Sequence, residues 1–294
     1  VQLEKVSIMG LGLLGGSLGL AIRQRKAASV VHAYVRRAAS IAESQRLGVA
    51  DVATQDIRAA VEGADLVVFC TPLSQMAELA RKALPHLKPG AIVTDVGSVK
   101  ASVVRELTPL IASAKAEFIG SHPMAGSEQS GMSAARADLF ESAVCVVTPG
   151  PKTSTQAIRT AQNFWKSLGG APMLMRPDTH DDLVGRSSHL PHVVAAGLVN
   201  YVLSPANSKE QAQLCATGFR DTTRIASGSP EMWRDIVLAN RQNLSRILSV
   251  FIEDLREFQL SLDREDTAAI EEFLAKAKQR RDDWGAGAVG KTPE

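Results

Sequence analysis

Two short stretches contain residues whose types and spacing could do chemistry. The first, IMGLGLLGGSLGLAI, sets Gly10, Gly12 and Gly15 in a G-x-G-x-x-G spacing between a strand-like run and a helical one, with Leu13 and Leu14 in the interval. A tight turn, a close approach to a pyrophosphate and a close helix–strand contact each need a residue without a side chain. The N–H groups at the helix start can then receive phosphate oxygens. The pattern points to a bound dinucleotide, the alternative being a glycine-rich turn that holds nothing. The second stretch, FIGSHPMAGSEQSG, ends an apolar run in His122–Pro123 and dissolves into small residues. Such a pair can be a plain turn, because proline ends a ladder and fixes the chain's direction. It can equally hold an imidazole rigidly beside a ligand.

Other polar residues gather at the ends of apolar runs. An NAD site usually places an acid about 20 residues past the glycines, on the ribose 2′-hydroxyl, but no acidic residue occurs between Gly15 and Ala42. Val35 stands where that acid is expected, and Arg36 and Arg37 follow at once. Guanidiniums suit a 2′-phosphate, so NADP is favoured over NAD, the alternative being that one or both arginines are solvated charges at a helix entry. Thr71 and Pro72 (CTP), and Asp95, Gly97, Ser98 and Lys100 (DVGSVK), also follow apolar runs. Ser98 reads additionally as the N-cap of the next helix, and Asp95 as a structural strand end. On this topology His122 would lie beside the nicotinamide. Farther on, THDDLVGRSSHLPH and GFRDTTRIASGSPEMWRDIVLAN add His180, His189, His192, Arg220, Asp221 and Arg224. His189 and His192 can share a helical face, but no third ligand has suitable spacing, so no metal site is expected. His180 reads as a helix-start feature, and an ion pair with Asp221 accounts for part of the arginine cluster.

The elements that must position these residues fall into two halves. Up to about Pro149, the runs KVSIMG, VVHAYV, DLVVFC, AIVTDV, AEFIG and AVCVVTP alternate with helical stretches, the grammar of βαβ units and a mostly parallel sheet. The aperiodic TPGPKTS marks a boundary, giving an α/β Rossmann-type dinucleotide-binding domain over 1–149 and an all-α domain over 150–284. In the latter, a long helical run from Pro230 to about Leu260 carries Ile236, Leu244, Ile247, Leu248, Phe251, Leu255 and Phe258, many on one face, and a further helix spans about Asp263 to Trp284. That apolar face is too long for one small domain to bury and predicts a homodimer. Residues 285–294 read as a disordered tail.

Composition narrows the classes. With 294 residues, 45% of them apolar and 22% charged, the chain can build a sizeable core. Thirty-three basic against 31 acidic residues leave +2, without a basic block, so neither nucleic acid nor membrane is an expected partner. Cys70, Cys145 and Cys215 are far apart, and two lie in apolar runs, which suggests a reducing, cytoplasmic compartment. Neither a membrane span nor a targeting segment is read.

The motifs GLGLLGGS, DVGSVK, GSHPMAGSEQSG, SHLPH, GFRDTTRIA and MWRDIVLAN, in this order, resemble the prephenate and arogenate (cyclohexadienyl) dehydrogenases of tyrosine biosynthesis, from about Lys5 to Trp284. The resemblance implies a Rossmann domain, a helical domain that forms an intertwined dimer, and an active site between them. It implies oxidative decarboxylation of prephenate or arogenate, with His122 on the substrate's ring hydroxyl. Ser98 would help hold that histidine and the cofactor, and Arg224 would bind a substrate carboxylate. His192, Asp221 and Trp233 match active-site positions. The missing acid after the second strand sets NAD use in doubt. No segment corresponds to the C-terminal regulatory domain of some relatives, so any feedback by tyrosine is expected at the active site. Prephenate and arogenate differ in a keto group against an ammonium, and no residue decides between them, although Asp178 and Thr179 lie in the suspected region. Rival classes are another NADP oxidoreductase of the β-hydroxyacid dehydrogenase or imine reductase type, which would call for a catalytic lysine on a helix of the second half, and a non-enzymatic NADP-binding sensor.

Overall fold

A computed structural model of the chain describes residues 3–127 and 129–287. The first elements alternate as the sequence predicts: β1 (Leu3–Met9), α1 (Leu13–Arg25), β2 (Ala28–Tyr34), α2 (Ala39–Leu47), β3 (Val52–Thr54), α3 (Ile57–Val61), β4 (Leu66–Phe69), α4 (Leu73–Ala83), β5 (Ile92–Asp95), α5 (Ala101–Ala112) and β6 (Glu117–Phe118). The six strands form one parallel sheet in the order β3-β2-β1-β4-β5-β6. Strand order reverses between β1 and β4, and there the crevice beyond the carboxyl ends opens. Both faces are covered, which explains the near-continuous apolar runs. Val6, Ile8, Leu66 and Val68 join one core with Leu18 and Ile22 of α1. Met9, Val67 and Phe69 join the other with Met76 and Leu79 of α4 and Leu107 and Ile111 of α5.

Beyond β6 the chain enters a second, three-stranded sheet of β7 (Gly120–Pro123), β8 (Val144–Thr148) and β9 (Ala171–Leu174), with α6 (Thr155–Ser167) between the last two. The run AVCVVTP thus pairs antiparallel with the strand that carries His122, not with the parallel sheet. Residues 150–174, grouped above with the helical half, continue this arrangement. β9 lies parallel to β8, and Phe164 and Trp165 of α6 join the core beside β1 and Phe140.

From there the chain is helical: α7 (Pro177–Val184), α8 (Leu190–Val202), α9 (Lys209–Gln213), α10 (Thr217–Thr223), α11 (Pro230–Ala239), α12 (Arg241–Asp263) and α13 (Thr267–Gly285). Between α7 and α8 the helix widens into a π turn over Gly185–His189. Pro191 explains it, since it has no N–H for the carbonyl of Ser187 and its ring would clash with that group in a regular turn. The predicted single helix from Pro230 to Leu260 is two helices that meet at Asn240. Two compact units divide after Leu244. In the unit that begins at Ser245, α12 and α13 pack through Phe258 and Phe273, ring centroids 4.7 Å apart, and Asp266 caps α13 at the amide of Ala269, 3.0 Å away. The predicted tail is helical at Gly285, and 288–294 lie outside the described residues. No described helix is long and apolar enough to cross a membrane.

Candidate functional site

Each glycine of the first motif has a different physical task. Gly10 adopts φ +107°, and a Cβ there would sit 2.9 Å from Cγ2 of Thr71. A Cβ on Gly15 would overlap the carbonyl oxygen of Gly10, so the helix can approach the turn only without one. A Cβ on Gly12 would meet nothing within 4 Å, which leaves that position open to a ligand. Leu13 and Leu14 begin α1, both half-buried. Thr71, at the end of β4, has a buried hydroxyl without a hydrogen-bond partner, and Pro72 caps α4. An open glycine cradle beside an orphaned hydroxyl fits the phosphate region of a dinucleotide. Val35 is buried past β2, whereas Arg36 and Arg37 are exposed, their guanidiniums without an ion-pair partner among the described residues. The carbonyl of Arg36 accepts from Gln55 Nε2 at 2.8 Å.

His122 lies just beyond the carboxyl edge of the same parallel sheet. β6 delivers the chain there, and the amide of Ser121 donates to Asp95 Oδ1 at the end of β5 (3.1 Å). The Lys100 ammonium, fully buried, bonds Asp95 Oδ2 and the Ser121 carbonyl, the latter at 2.8 Å. Asp95 is therefore half of a buried ion pair that positions the residue before His122. His122 itself is buried, and its Nδ1 lies 2.8 Å from Nε2 of His180. His180 Nδ1 in turn lies 2.8 Å from Asp181 Oδ1. Asp181 also accepts the amides of Lys100 (2.7 Å) and Ala101 (2.8 Å) at the start of α5. The predicted helix-capping role of Ser98 thus falls to Asp181, because the helix begins three residues later, at Ala101. His180 does stand at the start of α7, its amide bonded to the carbonyl of Arg176, but it is also buried and its Nε2 meets His122. Leu13, directly after the glycine turn, lines a surface cleft together with Met124, Ala125 and Gly126, which follow His122–Pro123, and with Arg136 and Leu139.

A second group sits on the helices. Asn240, at the junction of α11 and α12, donates to the carbonyl of Asp181 (2.7 Å) and lies 3.1 Å from Nδ1 of His189. His192 stacks on Trp233 with ring centroids 3.5 Å apart and 11° between planes, and His189 meets the same indole edge-on at 6.2 Å. Gly228 admits that indole, since a Cβ there would stand 2.6 Å from Trp233 Nε1. Asp221 and Arg224 are exposed on the segment that packs against α8, with Arg220 4.0 Å from Asp221. The structure thus gathers His122 with His180, Asp181, Asp95 and Lys100, and His192 with Trp233. It leaves Asp221 and Arg224 at the surface and Ser98 half-buried in the turn before α5.

Burial decides the charge of the imidazoles. It lowers His122 well below the ordinary histidine range, helped by repulsion from His180, Lys100 and His189. It takes His189 to about 4, against an upward pull from Asp181, and lowers His192. Lys100 is also lowered by burial, with Asp95 opposing. His122, His189 and His192 are therefore neutral at neutral pH, so His122 can act as a base or hydrogen-bond acceptor.

Fold and site define a protein of Rossmann type with a helical domain after it. The sequence profile of the prephenate dehydrogenase nucleotide-binding domain matches residues 18–174, and that of the prephenate dehydrogenase dimerization domain matches 176–276. The chain belongs to the prephenate dehydrogenase family. It is 34% identical to the prephenate dehydrogenase of Bacillus subtilis over 95% of its own length and 76% of the relative's, and 34% identical to the cyclohexadienyl dehydrogenase of Zymomonas mobilis over 95% of each. It is similar in structure to the prephenate dehydrogenase of Aquifex aeolicus in complex with hydroxyphenyl propionate and NAD+ (TM-score 0.90, 31% identity, 96% of this chain and 99% of that one). It is also similar to the arogenate dehydrogenase of Synechocystis (TM-score 0.81, 29% identity, 95% and 99%).

Proposed function

We propose that the chain catalyses the oxidative decarboxylation of prephenate, arogenate or both, giving 4-hydroxyphenylpyruvate or tyrosine. The observation that carries this is that Leu13, the residue after the glycine turn, and the loop that follows His122 line one cleft, in a chain of this family. A nicotinamide dinucleotide bound at Gly10, Gly12, Leu13, Leu14, Gly15, Thr71, Pro72 and Ser98 supplies the hydride acceptor. We assign NADP as the preferred form, because Arg36 and Arg37 stand unpaired where a 2′-phosphate would lie and no acid is present to take a 2′-hydroxyl.

The substrate is a cyclohexadiene with a C4 hydroxyl and a C1 carboxylate, and aromatisation provides the driving force. As hydride leaves C4, His122 accepts the hydroxyl proton. The electrons of the bond to the departing CO2 then flow through the ring to the C4 oxygen, which takes the proton back as a phenol. Arg224 grips a substrate carboxylate, and the His192–Trp233 stack, with Asp221 nearby in sequence, forms the substrate side. Ser98 supports the cofactor end. We place the dinucleotide function in residues 1–149, which α6 and β9 complete up to residue 174, and the substrate and dimerisation functions in the helices that follow, to 284. We infer a reducing, cytoplasmic setting from the three free, widely separated cysteines.

The test mixes the protein with prephenate or arogenate and NAD+ or NADP+ in four combinations and follows reduced nicotinamide. Turnover fastest with NADP+ is expected. Silence in all four overturns the proposal, and equal rates with both dinucleotides overturn the NADP preference.

A further inference from the structure

We propose that His180 and Asp181 are positioning residues for His122: they hold its proton on Nδ1, leave Nε2 as the basic nitrogen, and take up positive charge while His122 holds the substrate's proton. The proposal deepens the function proposed above and rests on it for the identity of that proton.

The argument starts at Asp181. Its carboxylate accepts two backbone amides at the start of α5, a helix terminus that favours negative charge. An ionised carboxylate only accepts, so His180 Nδ1, 2.8 Å from Oδ1, carries a proton. With that proton on Nδ1, the other ring nitrogen of His180, Nε2, accepts, and His122 Nδ1, 2.8 Å away, donates to it. What remains on His122 is a bare Nε2. The opposite tautomer would turn a donor to the substrate hydroxyl and remove the base.

The other charged and titratable groups around His122 leave this pattern intact. Lys100 of the turn before α5 is matched by Asp95 of β5, and His189 of the π turn accepts from Asn240 at Nδ1 and is neutral. When the hydroxyl O–H bond breaks, a bond from Nε2 of His122 to that proton forms. The proton on His122 Nδ1 can then pass to His180 Nε2, so the positive charge rests beside Asp181. Reversal of both transfers returns the proton to the phenolate oxygen, and no net proton is gained or lost.

The test combines ring-15N histidine NMR with kinetics. The chain has six histidines, and a His122→Asn spectrum identifies the His122 signals. In the wild type at pH 7, His122 should show a protonated Nδ1 and a bare Nε2. His180→Phe, which leaves the cap on α5 intact, and Asp181→Asn, which removes the charge, should both abolish that preference. Both should lower kcat about 10- to 100-fold with KM little changed. In Asp181→Asn the acid limb of kcat should move to lower pH, because the anion that steadies the protonated pair is gone. A purely structural role would lower the folded fraction and move neither tautomer nor limb. If Asp181→Asn does not fold, His180→Phe decides alone. Protonation of His122 on Nε2 in the wild type, or a wild-type tautomer in His180→Phe, overturns the proposal. The tautomer is read without substrate, so absence of turnover by the wild type would overturn the proposed reaction while the NMR result still judged the relay.

Discussion

His122→Asn keeps a hydrogen-bonding group of similar reach and removes the base. We expect kcat to fall by roughly 10² to 10⁴ while KM changes far less, measured at saturating dinucleotide. The sign of the pH dependence follows from burial. Protonation disables the base, so the rate falls as pH drops, and because burial lowers the ring the wild-type limb should lie well below 6.5. In the asparagine variant that limb should vanish. For Arg36→Ala, loss of a charge-assisted contact at an exposed position should cost about 1.5–3 kcal/mol of NADP+ affinity, with NAD+ little affected, by titration calorimetry. Equal losses for both would make Arg36 a surface charge only. His122 was legible in the sequence because proline and glycines punctuate a strand end. His180 was not, since its partner lies 58 residues away and an Asp beside a helical histidine reads as local charge.

At the scale of elements, the two glycines of the turn separate fold from ligand. Gly15→Ala drives a Cβ into the Gly10 carbonyl and should lower thermal stability, overpacking costing about 1–3 kcal/mol. Gly12→Ala meets no atom within 4 Å, so melting should be unchanged while dinucleotide affinity drops. Unchanged affinity for Gly12→Ala would show that the open cradle is not where the ligand sits. Strands and helices of the first half could be read directly, because period and punctuation agree there. Pairing could not: the run AVCVVTP looks like another strand of the parallel sheet, whereas its antiparallel register with Gly120–Pro123 and its parallel register with β9 assign it to the second sheet. The break at Asn240 was hidden as well. Apolar periodicity runs through it, and the amide that marks the junction is committed to Asp181 and His189, distant in sequence.

For the molecule as a whole, the question is what covers the helices at its C-terminal end. Val250, Ile252, Leu255, Leu260 and Leu262 of α12 and Leu274 of α13 are exposed, and residues 176–276 match a dimerization domain. We expect light scattering to give twice the 31.3 kDa chain mass at working concentrations, and an active species of single-chain mass would contradict it. The π turn at Gly185–His189 has an angular consequence. On an unbroken α-helix, at about 100° per residue, the twelve residues from His180 to His192 would set the two rings about 120° apart around the axis. One residue absorbed in the wide turn brings them to about 20°, so that the imidazole bonded to His122 and the imidazole stacked on Trp233 look out from one side of a single rod. A helical wheel drawn straight through from His180 to His192 separates them by a third of a turn.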